Sequence, residues 1–501
     1  MSTHYQTLLE KVQEIHDLGK AQALLSWDRE VNMPKAGTSE RVAQMTTLSR
    51  LTHVMFTTDD MGELIEQAAA DLNGADYESN EASLIRHLRR SYANSRKLPT
   101  EFVTRVSEVS GQAREAWVEA RAENAFSTFQ PWLEQIVSLC QEMADLYGYE
   151  DEKYDALLDK FEPDMKTAEV RAVFNAVKEA LTPLSQAIAE RQTAVDDSLL
   201  HQEYPIDKQK EFARYIAAAV GYDFDRGHLG TVIHPFATSF SRNDARITTR
   251  WYPDFLSPSL FGTLHESGHA MYEQGTHADL GRTPLARGTS LGIHESQSRM
   301  IENLVGRNRG FWQAHFPKLQ ALFPEQLGHH TAEDFYRAIN KVQPSFIRVE
   351  ADELTYNLHI ILRFELEQAM LNGELAVADL PTAWNDKMQQ LLGIVPANDR
   401  EGCLQDVHWS RPGFGYFPTY ALGNLYAAQF WQTAVSQQPR INAELAEGRT
   451  DTLLTWLGDN IHQHGRKFTP SELVQRVTER PLSHQPFIDY VTEKFTDLYD
   501  L

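Results

Sequence analysis

His265-Glu266-Ser267-Gly268-His269 sets two imidazoles four residues apart, with a carboxylate beside the first. On a helix, positions i and i+4 stand one above the other, so both rings can aim a nitrogen at one cation, as in a catalytic zinc site. Glu266 falls at the edge of that face, where it can take a proton from a water polarised by the ion and pass it to a leaving amine. The chemistry expected of this block is metal-assisted hydrolysis without a covalent intermediate. In keeping with that, the chain has no Gly-x-Ser-x-Gly elbow, and neither Cys140 nor Cys403 has a persuasive histidine partner.

These residues act together only if a helix carries them. Ser257-Pro258 supplies an N-cap followed by proline in the first turn, and Gly275 supplies a stop. Leu260, Phe261, Leu264, Met271 and Tyr272 are the apolar positions of a buried helix, where unpaired polar side chains would be costly unless a metal engaged them. The third ligand comes from elsewhere. A His-x-x-Gly-x-x-His continuation is excluded, because Tyr272 and Gly275 stand where glycine and histidine are needed, and Glu273 lies a turn too far along the helix. Residues 290–305 form a second helix with Ile293, Met300, Ile301 and Leu304 on its apolar side. Glu295 is the preferred ligand there. His294, one position round, and Glu302, two turns on, are its rivals, and Glu302 can also accept a hydrogen bond from a ligand histidine.

The whole chain must hold those two helices. At 501 residues the length allows several domains, yet no Pro/Gly/Ser-rich linker, low-complexity tract or repeat marks a joint, so one large body over 1–501 is expected. Residues 4–200 repeat a helical apolar period, as in Leu8, Leu9, Val12, Ile15, Leu18 and Ala21, and carry little chemistry of their own. Residues 1–200 are taken as a helical wall and cover, and 201–501 as the catalytic half. Residues 234–240 and 245–251 alternate in strand fashion around a turn at 241–244, predicting a β-hairpin beside the metal helix whose edge can hold an extended peptide.

Composition narrows the surroundings. A formal charge of −23 would repel a polyanion, which argues against nucleic acid as a partner. Two cysteines are too few for a disulfide framework, no stretch of membrane-spanning length is apolar, and the N-terminus breaks into charge before a signal core forms. A cytoplasmic protein without a membrane partner is expected. His329-His330 and His462-Gln463-His464 are read as solvated surface residues.

Six blocks in one order carry a family likeness: His234-Pro235-Phe236, Asp244-x-Arg246-x-Thr248, His265 to His269, His294-Glu295-Ser296-Gln297, Ile347-Arg348-x-x-Ala351-Asp352, and Gly402-x-x-Gln405-Asp406-x-His408-Trp409. In these the chain resembles the carboxypeptidase Taq family of zinc metallocarboxypeptidases. The resemblance implies a mainly α gluzincin-type peptidase body with a deep active-site groove, a homodimer, and removal of single residues from peptide C-termini. It also implies His265, His269 and Glu295 as zinc ligands, with cobalt able to substitute, and Glu266 as general base.

Acting only at a chain end requires a cation for the free C-terminal carboxylate of the peptide substrate. The planar fork of arginine suits that task. Arg348 is the first candidate, with Asp352 on the same helix orienting it, and Arg246 is the second. His408, Tyr416 and Tyr420, in a segment rich in glycine and aromatics, are candidates to line the groove or donate to the oxyanion. Two alternatives stand beside this expectation: an endopeptidase or oligopeptidase with the same zinc chemistry, and a helical protein with a structural zinc.

Overall fold

The apolar stripes of the N-terminal portion fold into the long helices α1 (Thr3–Val31), α2 (Thr38–Thr57), α3 (Asp59–Asp71), α4 (Asn80–Lys97), α5 (Thr100–Glu123) and α6 (Phe126–Tyr147). The structure, a computed structural model, describes residues 3–501, so the first two residues of the charged N-terminal segment lie outside it. Local chemistry sets several boundaries. The Thr58 hydroxyl accepts from Met61 N at the start of α3, Ser79 does the same for Ala82 N in α4, and Asn124 ends α5 in the left-handed region at φ 57°.

The wall expected over 1–200 has two parts. Tyr5, Leu8 and Val12 of α1 pack with Met61 and Ile65 of α3 and Leu84 and Leu88 of α4 into a small core of their own, joined by Leu280 and Leu285 from the C-terminal half. Helices α5 and α6 instead contribute Phe102, Leu133, Ile136 and Cys140 to the main core. That core runs through the helices Tyr356–Leu371 and Pro418–Gln437, which bury residues around most of their circumference.

The expected hairpin is present and carries a third strand. β2 (Ala237–Ser241) and β3 (Asp244–Thr249) pair antiparallel, with Thr238 opposite Arg246 and an irregularity between Ser239 and Ser241. The short β1 (Leu229–Thr231), too brief to show an alternation, pairs parallel with β3, giving the order β1-β3-β2. β3 packs on the helix Ser257–Gln274, hereafter the metal helix.

Pro258 sits in the first turn of that helix and Gly275 closes it, as expected, but Ser257 is already helical and makes no side-chain cap. The second helix also differs in detail. Ser290 caps it by accepting from Ile293 N, regular α geometry covers Leu291–Arg299, and a wider π turn follows over Met300–Val305. Such turns break the i,i+4 ladder and shift the side chains beyond them. No helix among the described residues is long and apolar enough to cross a membrane.

Candidate metal centre

The metal helix and the second helix approach closely because Gly268 lies between them. A Cβ built there would come 2.4 Å from Gln297 O and 2.6 Å from Ser298 Cα, both backbone atoms. Gly423 of Pro418–Gln437 plays the same part on the far side, where a Cβ would meet Glu295 Cγ at 2.4 Å. Glu295 is thereby pressed towards the two histidines.

His265, His269 and Glu295 converge, and they are the one group of three among the described residues whose donor atoms could share a cation. Glu295 Oε2 lies 3.5 Å from His265 Nε2 and 3.4 Å from His269 Nε2. Ligands of a tetrahedral ion at bond lengths of about 2.1 Å stand about 3.4 Å apart, so the donor set fits zinc.

Each donor is held from behind. His265 Nδ1 lies 2.8 Å from Glu302 Oε2 and donates to that carboxylate, so Nε2 is the nitrogen that can face a cation once its own proton is displaced. Behind His269 stands a longer relay. Glu273 Oε1 accepts from His294 Nε2 at 2.9 Å, which leaves His294 Nδ1 to accept from His269 Nδ1 at 2.6 Å and again leaves Nε2 as the nitrogen that can face a cation. His294, the rival candidate, is thus tied to the His269 ring and is absent from the converging set. Arg299 holds both acidic residues of its own helix, donating to Glu295 Oε1 at 2.7 Å and to Glu302 Oε2 at 3.0 Å, with its guanidinium over the Tyr356 ring.

These neighbours set the charge states. Burial opposes ionisation of Glu295 and Glu302, but the Arg299 guanidinium and the facing histidines outweigh it and hold both carboxyls below the usual range. Burial likewise disfavours the His265 imidazolium, yet Glu295 and Glu302 lift it to about 9. Glu266, buried beside this group, has no hydrogen bond or ion pair with any described residue, and burial raises its pKa. A base with a raised pKa and no competing partner can both receive and return a proton.

Of the remaining expected residues, His408, Tyr416, Tyr420 and Arg348 gather on the Glu295 side, and Arg246 does not. His408 lies in the short turn Val407–Ser410, its Nε2 3.5 Å from the Tyr420 hydroxyl, while Tyr416 packs edge-on against Tyr420. Burial lowers His408 to about 4 and raises Tyr420 well above its ordinary value, so at neutral pH both are uncharged hydrogen-bond donors. Arg348 is buried beside Tyr420, but its partner is not Asp352. Asp406 takes its Nε and Nη2, and the Tyr356 hydroxyl takes Nη1 at 2.9 Å. Asp352 is instead occupied with the amides of Gln343, Leu354 and Thr355, because Arg348–Glu350 is an isolated turn and the next helix begins at Tyr356. Arg246 stands on β3, bidentate to Asp244 and flanked by the Trp27 and Phe240 rings.

The second pair of histidine signals also differs from expectation in part. His462 is buried, not solvated, and its Nε2 lies 2.9 Å from Gln297 Oε1 on the second helix. Sequence reasoning missed the His294–Glu273 relay, Arg299 and the Asp406 clamp. The i,i+4 spacing of Glu295 and Arg299 was a visible signal for one of them, whereas the others depend on long-range packing.

A family model described as Carboxypeptidase Taq (M32) metallopeptidase matches residues 7–495. Thermostable carboxypeptidase 1 of Thermus thermophilus is 42% identical over 507 residues, covering 99% of each chain. Carboxypeptidase 1 of Bacillus subtilis is 39% identical over 497 residues, again covering 99% of each. Among solved structures, the M32 carboxypeptidase of Deinococcus radiodurans R1 superposes with a TM-score of 0.97 at 39% identity, covering 100% of both chains.

Proposed function

The chain belongs to the carboxypeptidase Taq (M32) metallopeptidase family and is a metallocarboxypeptidase, and from that premise we propose that it works with zinc, held by His265, His269 and Glu295, with Glu266 as general base. The observation that carries this reading is the convergence of two Nε2 atoms and one carboxylate oxygen beside a buried, unpartnered carboxylate. When bound, zinc supplies a Lewis acid that polarises water and the scissile carbonyl and brings the pKa of the water to about 7; cobalt suits the same N/O donor set. Glu266 removes the proton from the attacking water and returns it to the departing amine. Tyr420, protonated and close to Glu295, donates to the oxyanion, with His408 beside it as a second donor.

The terminal carboxylate is received on the Tyr420 side. Arg348 has first claim because it lies over the Tyr420 ring, and the carboxylate would take the guanidinium hydrogens that Asp406 and Tyr356 leave over. Arg246, on the strand at the other wall, and Tyr416 are the further contacts. The free, buried Cys140 and Cys403 are consistent with a reducing, cytoplasmic setting, and the family likeness supports a homodimer.

The test is mass spectrometry of an N-acylated peptide, offered as free acid and as C-terminal amide, after incubation with metal-stripped protein and with protein given zinc or cobalt. A metal-dependent ladder from the free acid alone is expected. Internal cuts in both peptides would overturn the exopeptidase assignment.

A further inference from the structure

Beyond His269 the metal helix continues through Ala270 and Glu273 into the wall of a cavity of about 400 Å³, closed on other sides by α1 and by Thr238 and Ser239 of the edge strand β2. Three cations face it: Lys20, Arg287 and Arg466. Among the described residues none of them has a carboxylate at ion-pair distance. Lys20 donates to the Ser239 carbonyl at 2.8 Å, Arg466 Nε donates to Gly288 O at 3.1 Å, and the Arg287 side chain is exposed with no hydrogen bond to any described residue. The one carboxylate in the wall, Glu273, is already engaged by His294 and by Gly288 N. Burial and the neighbouring Arg287 lower Arg466 to about 10, against the opposing pull of the Glu273 carboxylate.

A second cavity of about 630 Å³ shares Arg287 and Arg466 with the first and adds Arg86 and Lys467. Of its carboxylates, Asp159 and Asp164 are both taken by Arg90, and Glu472 accepts from the Tyr77 hydroxyl and Thr469 N; Arg86 binds main-chain carbonyls of Tyr77 and Lys467. Against a formal charge of −23, cations therefore outnumber carboxylates around the first cavity, where Lys20, Arg287 and Arg466 face the single carboxylate of Glu273. Self-repulsion of that kind persists where an anion relieves it.

We propose that the cavity walled by Lys20, Arg287 and Arg466 is an anion subsite that receives an acidic side chain of the peptide substrate, upstream of the bond to be cut. The inference rests on the carboxypeptidase reading above. If the terminal carboxylate lies on the Tyr420 side, the retained part of the peptide runs the other way, along β2 and past Ala270. An extended strand turns alternate side chains to one side, so a peptide beside Thr238 and Ser239 directs a side chain into this cavity. The terminal carboxylate is a single group, whereas the cations extend through two cavities, which suits the longer retained segment.

The test compares kcat/KM on N-acetylated hexapeptides, otherwise uncharged, with Glu or Gln at the second, third or fourth position from the C-terminus. The zinc-loaded wild type is set beside Arg287→Gln and the Arg287→Gln/Arg466→Gln pair. A charge-assisted hydrogen bond predicts a Glu over Gln preference of at least about fivefold at one position. That ratio should fall towards one in Arg287→Gln and in the wild type at high salt, so the result stands even if the double variant does not fold. A wild-type ratio near one, with the Gln peptides still trimmed, overturns the subsite and leaves the carboxypeptidase intact. Equal loss on Glu and Gln peptides in Arg287→Gln assigns the cluster to the terminal carboxylate and also overturns the proposal. If no peptide is trimmed with metal present, the functional reading itself fails.

Discussion

At the scale of single residues, the proposed mechanism separates the groups that would hold a cation from the one that would move a proton. Glu266 makes no side-chain hydrogen bond or ion pair among the described residues, while Glu295, Glu302 and Glu273 are each bonded to an arginine, a histidine or both. Glu266→Gln keeps shape and burial but cannot accept the proton. It should lower kcat by about 10²- to 10⁴-fold while metal content, measured by elemental analysis, stays at the wild-type level. Glu302→Gln should do the reverse. Losing the charged acceptor behind His265 loosens ring orientation and lowers metal affinity by about 10- to 100-fold in a chelator competition, with activity recovered at excess zinc. Equal metal loss in both variants would refute the division of labour. The convergence of His265 and His269 beside Glu266 was legible because i,i+4 spacing on a helix is local information, whereas spacing alone left Glu295 beside His294 and Glu302. The relay through His294 was not legible, because His269 and Glu273 reach it only when two helices, set by residues far from either motif, come into register.

At the scale of elements, the spacing between those helices is set by the absence of side chains. Gly268 occupies a position of the motif that takes any residue as far as zinc ligation is concerned, yet backbone of the second helix fills the place of its Cβ. Gly268→Ala should push Leu291–Arg299 away, open the 3.4 to 3.5 Å gaps between donor atoms and weaken zinc binding, with a loss of stability of about 1 to 3 kcal/mol. An alanine variant with unchanged zinc affinity would show that the second helix does not need this contact.

A second joint is electrostatic. Asp406 ties the Arg348 turn to the helix Tyr356–Leu371 through Arg363, and the two guanidiniums, working against burial, hold its carboxyl far below the ordinary range. Its folded value being depressed, this stability is fully present above the unfolded value of about 4 and is lost as pH falls below it. Thermal unfolding of the wild type should therefore drop steeply below about pH 4. Asp406→Asn should already be destabilised at pH 7, by about 3 to 5 kcal/mol, with a shallower acid limb. Parallel limbs would place the acid sensitivity elsewhere. The sequence pointed to Asp352 as the partner of Arg348 because four residues separate them. The turn at Arg348–Glu350 breaks that relation, and only the fold brings Asp406 in, 58 positions on.

At the scale of the molecule, a heavily buried main core contrasts with a lightly buried group of N-terminal helices, the cover of the sequence-based expectation. The helix Tyr356–Leu371 buries residues on nearly every side, whereas α2 buries none, and α1, α3 and α4 meet in a core of about a dozen residues apart from the main one. Local opening costs least where few apolar contacts resist it. The periodicity of residues 4–200 showed that helices form there, but a stripe says nothing of which core it joins, so α5 and α6 could not be told from the cover. The arrangement bears on the proposed subsite, since α1 supplies Lys20 and His16 to the cavity beside the candidate metal centre. Hydrogen exchange followed by mass spectrometry should find α2 the fastest-exchanging long helix and Tyr356–Leu371 among the slowest. Adding a peptide to the zinc-loaded Glu266→Gln variant, which should bind without turning over, should slow exchange in α1 and leave Asp451–Asn460, remote from the cavity, unaltered. Uniform slowing throughout the chain would mean that peptide binding stabilises the whole protein and that the cover does not open as a unit.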